Sequence, residues 1–250
     1  MDAEAWRLVF VGLAGLGAGA VNGIAGGGTL VSFPVLLAVG IPAIRANVTS
    51  TVGIWPGYLG STAGFRNEIK GQVDRLRELA PVALVGAVAG SVLLLETPSS
   101  AFSRVAPYLI IVSCLLFAAQ PFLAEHLGEG SARRRTVVAH GGTLVACTYG
   151  AYFGAGLGVL LLAVLGIAVP DTLVKLSGLR STISLGVNVI AAVIFSIAAH
   201  VEWADAGVLA AGCLIGGYIG ARVALRVPKG PLRVLIILIG LGAAARLITG

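Results

Sequence analysis

Residues Asn22-Gly-Ile-Ala-Gly-Gly-Gly-Thr-Leu30 decide how the rest of this chain is read. Apolar sequence flanks them on both sides, and a thinner version returns as Tyr149-Gly-Ala-Tyr-Phe-Gly-Ala-Gly-Leu-Gly158. A glycine run breaks a helix, because each glycine weakens it and opens backbone geometries that other residues avoid. Lipid penalises such a break, since main-chain N–H and C=O groups freed there find no water. Non-helical backbone survives at membrane depth only where protein buries it or it lines a wet cavity. Two broken segments in matching places of two half-chains point to a transporter's binding site.

Composition places these breaks in a membrane. Of 250 residues, 57% are hydrophobic and 11% charged, where a soluble domain carries about 25% charged residues. Mean hydropathy is +0.98. Apolar segments fall at 6–25, 29–39, 43–64, 79–96, 102–123, 136–153, 157–168, 172–199, 206–226 and 232–249. Segments 29–39 and 157–168 are too short to cross about 30 Å of hydrocarbon. Each follows a glycine-rich break and ends before a proline, Pro42 or Pro170, so both read as re-entrant halves. The net charge of +6 sits mostly in loops, without a basic stripe or aromatic platform, and implies no nucleic-acid partner. Cys114, Cys147 and Cys213 lie in apolar runs without metal-ligand spacing and read as packing residues. The acidic start, Met1 to Arg7, does not resemble a cleaved signal peptide, so Trp6 onward is expected to remain as the first helix.

A shift of 128 residues lays Gly26 on Gly154, Gly28 on Gly156 and Pro42 on Pro170. It also lays Thr49 and Ser50 on Ser177 and Gly178. One membrane domain of two repeats, 1–128 and 129–250, follows. Loop charge then chooses their orientation. Arg66, Lys70, Arg75 and Arg77 share one loop, Arg133 to Arg135 another, and Arg222, Arg226, Lys229 and Arg233 a third. If each broken pair (6–39 and 136–168) is a hairpin returning to its own side, all three loops fall on the cytoplasmic face. A single crossing per pair would put the third cluster outside. The expected fold is therefore an all-α polytopic membrane protein of two inverted repeats, each a Gly-rich re-entrant hairpin plus three transmembrane helices. Glycines at every fourth position (Gly15, Gly19, Gly23; Gly212, Gly216, Gly220; Gly86, Gly90) predict close helix contacts. Trp55, Trp203 and Tyr108 read as interfacial anchors.

Candidate site residues fall in two groups. At the hairpin tips stand Asn22, Gly26, Gly27, Gly28 and Thr29, answered by Gly154 and Gly156. Free amides at a helix start, helped by its dipole, can hold an oxyanion. After the prolines come Arg45, Asn47, Thr49 and Ser50, answered by Lys175, Ser177, Arg180, Ser181 and, deeper, Asn188. Ionisable groups inside a membrane are functional candidates, although Arg45 and Lys175 lie near segment ends and could equally snorkel to headgroups. Arg180 lies about two turns into its segment, which favours function. No Asp or Glu lies mid-segment, so the cargo reads as an anion, and neither a carboxylate proton relay nor a metal site is indicated. HExxH and GxSxG patterns are absent, which speaks against an intramembrane enzyme.

The run from Asn22 to Pro42, followed by Ala46-Asn-Val-Thr-Ser50, resembles the first-half signature of the TauE/SafE sulfite-exporter family of membrane permeases. The second half, from Gly154 through Pro170 to Gly178, is similar, with fewer glycines and with Leu162 where Pro34 would repeat. The resemblance covers nearly the whole chain. It implies a multi-pass protein of the cell's inner (plasma) membrane that moves small sulfur-containing anions: sulfite, thiosulfate or organosulfonates. Alternating access at a central anion site is the expected mechanism, with a passive anion channel as the alternative. The partners expected are that small anion and membrane lipid, with self-association into a homo-oligomer left open, and no cofactor.

Overall fold

The computed structural model describes residues 3–125, 132–224 and 230–249. Eleven helices run through them, and no strand occurs among the described residues. The first half holds α1 (Ala3–Ile24), α2 (Thr29–Ala38), α3 (Ala43–Gly64), the single turn α4 (Arg66–Ile69), α5 (Val73–Glu96) and α6 (Ser99–Glu125). The second holds α7 (Ala132–Tyr152), α8 (Leu157–Ala168), α9 (Leu173–Ala198), α10 (Trp203–Val223) and α11 (Gly230–Thr249). Five of these, α1, α5, α6, α9 and α10, are long and apolar enough to cross a membrane. The chain is a polytopic, all-helical membrane protein. At 10 and 12 residues, α2 and α8 reach only about 15 and 18 Å, roughly half the hydrocarbon thickness.

Helix boundaries correct the sequence reading in several places, with α1, α6 and α7 each starting three or four residues early. Residues 66–69 form a short helix where a plain loop was expected. The segment expected at 79–96 starts earlier, at Val73, with Pro81 inside it, and that expected at 206–226 is α10, three residues earlier at each end. Of the residues used for orientation, Arg226 and Lys229 lie outside the described residues, as do 126–131 around the expected boundary between the two repeats.

The molecule is apolar outside and polar within. Leu13, Leu115, Val145 and Ile197 are broadly exposed, while Asn22, Asn47, Thr49, Ser50, Arg180, Ser181 and Asn188 are buried. Lipid accepts the first set, and only protein partners can satisfy the second. Among the expected anchors, Trp203 is exposed at the start of α10 and Tyr108 is exposed more than two turns into α6, whereas Trp55 packs against the core.

Glycine makes the tightest contacts. A methyl group on Gly19 would lie 2.3 Å from the Cys213 carbonyl, and one on Gly216 would lie 2.0 Å from the Leu16 carbonyl. These residues hold α1 and α10 backbone to backbone, as the spacing of glycines predicts. Gly217 does the same toward α3, where its added carbon would stand 2.0 Å from the Gly57 carbonyl, and Ser61 Oγ donates to the Gly217 carbonyl beside it (3.2 Å). The pair Gly86 and Gly90 seats α5 on α7, against Leu144 and Thr148.

Ion pairs fasten the helix ends. Arg7, early in α1, meets Asp205 in the first turn of α10, and Arg45, early in α3, lies 3.6 Å from Glu202. Elsewhere Arg75, early in α5, donates to Asp171 at 2.6 Å, Lys175 stands 3.5 Å from the same carboxylate, and His140 of α7 faces Glu78 at 3.6 Å.

Candidate functional site

The two glycine-rich breaks come together. Between α1 and α2, Gly26 adopts φ +83°, and between α7 and α8, Gly154 and Gly156 adopt +82° and +87°. A side chain rarely tolerates that left-handed geometry, which explains the glycines at these three places. The Gly158 N–H donates to the Gly26 carbonyl across the breaks (3.1 Å), and Gly154 sits against Thr29. Gly27 lies under the edge of Phe117 from α6, so that an added carbon would stand 2.3 Å from the ring.

Side chains of the helices after the prolines clamp the tips crosswise. Arg180, in the second turn of α9, donates from Nη2 to the carbonyls of Asn22 and Gly23 near the end of α1 (3.2 and 3.3 Å). Asn47, early in α3, donates from Nδ2 to the Tyr152 carbonyl at the end of α7 (2.9 Å). Each half thus caps the broken helix of the other, and a cation or amide donor suits the negative end of a helix dipole. Within the first tip, Asn22 Oδ1 accepts from the Gly28 N–H at 2.7 Å. Ser113 of α6 steadies the second tip by donating to the Ala155 carbonyl at 3.0 Å.

Unused polar atoms remain among these residues. Buried without a hydrogen-bond partner are Arg180 Nη1, Asn22 Nδ2, Asn47 Oδ1, Ser181 Oγ and Ser184 Oγ. Arg180 is 1% exposed and forms no ion pair among the described residues. One buried acidic side chain, Asp205, occurs among the described residues, and it belongs to Arg7. A guanidinium out of water without a carboxylate is held at a cost of several kcal/mol. Its Nη1 points toward Gly26, 2.6 Å from where a side-chain carbon would begin.

Other residues singled out from the sequence lie elsewhere or are occupied. Arg45 and Lys175 are half exposed in the ion pairs already described. Thr49 Oγ1 accepts from the Glu202 N–H (3.1 Å), Ser50 shares a 2.6 Å hydrogen bond with Ser32, and Ser177 donates to the Leu173 carbonyl. Asn188 donates to the Ser184 carbonyl one turn before it. The expectation of unpaired main-chain donors is also modified: the N–H groups of Gly28, Leu30, Val31, Ser32 and Gly158 are bonded within the protein. Among the described residues the N–H groups of Gly27, Thr29, Gly154, Ala155 and Gly156 form no hydrogen bond, and the side-chain donors above are unpartnered beside them. Ser32 and Phe117 escaped the sequence reading because one is a lone serine in a short segment and the other an ordinary apolar residue.

Two clefts flank this centre without reaching Arg180, Asn22 or the glycines. One, of about 400 Å³, includes Arg45, Thr97, Ser99 and His200. Its Thr97 hydroxyl stands 3.4 Å from that of Tyr152, the residue whose carbonyl Asn47 holds. The other, of about 270 Å³, includes Arg75, Glu78 and Arg135. Beside it, Asp171 is held below the usual carboxylate range, chiefly by the hydrogen bond from Arg75 against the opposing effect of burial, with help from the Thr172 N–H and Lys175.

Comparison with known proteins agrees with this architecture. A protein of Sinorhizobium sp. named as probable membrane transporter protein ORF9 is 28% identical, covering 96% of this chain and 92% of its own length. A probable membrane transporter protein of Haemophilus influenzae is 24% identical over 99% of this chain and 97% of its own. The probable membrane transporter protein YfcA of Escherichia coli K12 is 25% identical, over 92% and 86% respectively. The family model described as sulfite exporter TauE/SafE matches residues 11–247. With that match running nearly end to end over a helical bundle of apolar surface and polar centre, this chain belongs to the TauE/SafE family of membrane transporters.

Proposed function

We propose that the chain is a secondary transporter that exports small sulfur-containing anions (sulfite, thiosulfate or organosulfonates) through the inner membrane by alternating access at the paired tips. The observation that carries this reading is Arg180, a buried cation with an unused Nη1 and no carboxylate partner among the described residues. An anion is what such a group lacks. Further unpartnered donors, Asn22 Nδ2, the Ser181 and Ser184 hydroxyls and the N–H groups of Gly27 and Gly156, supply hydrogen bonds to oxyanion oxygens. Cargo entering between the tips breaks the Gly158–Gly26 hydrogen bond and frees one more N–H at the start of α8. The dipoles of α2 and α8 add positive potential at the same place.

The reading takes 1–128 and 129–250 as inverted repeats with re-entrant hairpins. The ion pairs support it. Arg7 and Arg45 both meet the start of α10, and the link from Ala38 to Ala43 is short, which returns the α1–α2 pair to the end it left. Asp171, between α8 and α9, and His140, in the first half of α7, meet Arg75 and Glu78 in the first two turns of α5, at the opposite end of that spanning helix from Glu96. Arg66, Lys70, Arg75, Arg77 and Arg133 to Arg135 then gather at one end, which the positive-inside rule assigns to the cytoplasm. From a cell negative inside, anion efflux is electrically downhill by about 2.3 kcal/mol per charge per 100 mV. Export therefore needs no coupled proton.

The test is flux in proteoliposomes for sulfite, thiosulfate and a C2 sulfonate. Wild-type protein is expected to show saturation and counterflow. Arg180→Gln keeps an amide donor for the α1 carbonyls, removes the charge, and is expected to lose at least tenfold in flux while melting normally. Unchanged flux in that variant refutes the site, and linear flux without counterflow replaces the transporter with a passive channel.

A further inference from the structure

We infer that the species carried is singly charged: a hydrogen-bearing anion of a dibasic sulfur oxoacid, or a monosulfonate, in preference to any dianion. The inference rests on the proposed function above and narrows its substrate. Charge counting carries it. Among the described residues, the buried ionisable groups of opposite sign are Arg180 and Asp205, and Asp205 is neutralised by Arg7 at a helix end. Arg45 and Lys175, the other cations after the prolines, are half exposed and each faces a carboxylate. The centre therefore offers one uncompensated positive charge. A monoanion brings the loaded site to neutrality, whereas a dianion leaves one negative charge with no counter-ion in a medium that punishes it.

The unpartnered atoms agree. Arg180 Nη1 and Asn22 Nδ2 are donors, and the Ser184 hydroxyl, one turn beyond Arg180 on the same face of α9, can donate or accept. Asn47 Oδ1, at the second tip, is a buried acceptor with nothing to accept from. A hydrogen-bearing monoanion satisfies an acceptor of this kind and its dianion cannot, while a monosulfonate meets the charge count alone. The titratable neighbours of Arg180 are Tyr58 on α3 and, beyond it, Cys213 on α10. Neither is a carboxylate or a histidine, so a strong response to pH near neutrality belongs to the cargo.

The experiment uses wild-type protein in proteoliposomes with four probes at fixed total concentration: sulfite, whose second ionisation lies near neutral pH, methanesulfonate, a permanent monoanion, sulfate, a dianion throughout, and thiosulfate, a dianion at neutral pH. Isotope flux and charge movement are measured together. Expected are one charge moved per sulfur, sulfite flux falling at least fivefold as pH rises through its second ionisation, and methanesulfonate flux flat over the same window. Sulfate flux is expected at no more than a tenth of the methanesulfonate value. Two charges per sulfur, or sulfite flux flat or rising with pH, overturns the inference and leaves anion transport standing. Saturable thiosulfate flux at or above the methanesulfonate value overturns the inference alone, and saturable flux of none of the four probes overturns both.

Discussion

Replacing Gly158 by alanine tests the contact between the two tips directly. The added carbon would lie 2.5 Å from Gly26 Cα and 2.7 Å from its carbonyl oxygen, where ordinary contact begins at 3.4 Å. Both obstacles are backbone atoms, so the tips must separate by about 0.9 Å, an overpacking that costs about 1–3 kcal/mol. Separation also weakens the 3.1 Å hydrogen bond from the Gly158 N–H to the Gly26 carbonyl, worth about 0.5–1.5 kcal/mol. Against this, alanine gains about 0.8–1 kcal/mol over glycine inside a helix. The closed-tip arrangement is left weaker by about 0.5–3.7 kcal/mol, a fall of roughly twofold to several hundredfold in its population. Gly186→Ala is the matched control, because Gly186 also lies in a helix and an added carbon there meets nothing within 4 Å. We expect Gly158→Ala to melt lower in detergent and to lose flux in proteoliposomes, and Gly186→Ala to match or exceed the wild type in stability. If the two variants melt alike and transport alike, the tips do not meet through Gly158 and the reasoning fails.

Two further outcomes follow from contacts away from the tips. Asp171 has its folded pKa lowered mainly by the Arg75 hydrogen bond, so the stabilisation it provides is complete above the ordinary carboxylate value and disappears as pH falls through the lowered one. Asp171→Asn should therefore melt below the wild type at neutral pH, the gap closing in acid; a gap that is constant with pH removes the carboxylate from the explanation. Gly217→Ala would set a carbon 2.0 Å from the Gly57 carbonyl and is expected to destabilise the α3–α10 contact by about 3 kcal/mol or more. Gly207→Ala in the same helix meets open space and should be neutral, and equal melting of the two would contradict the backbone packing described.

Much of the site was legible because its signal is local. Gly26, Gly154 and Gly156 announce left-handed turns by being glycine, and Pro42 and Pro170 mark where the short helices stop. The two short helices and the close helix contacts at Gly19 and Gly216 needed only residue type and spacing. Arg180 stood out as a charge too deep to snorkel. Not every main-chain amide at the broken helices is free. Asn22 Oδ1 satisfies Gly28, and the opposite break satisfies Gly158. The hydroxyls of Thr49, Ser50 and Ser177 were likewise read as available, and each has a partner.

Sequence alone determined that this is a helical membrane protein broken twice by glycine, because hydropathy, helix propensity and backbone freedom are properties of residues and their near neighbours. Only the tertiary structure decided which polar atoms are spoken for. Arg180 and Asn22 are 158 positions apart, and Asn47 and Tyr152 are 105 apart. Hydrogen bonds form over about 3 Å, so a chain read in one dimension cannot reveal which distant carbonyl a donor will face, or that one guanidinium nitrogen is left over.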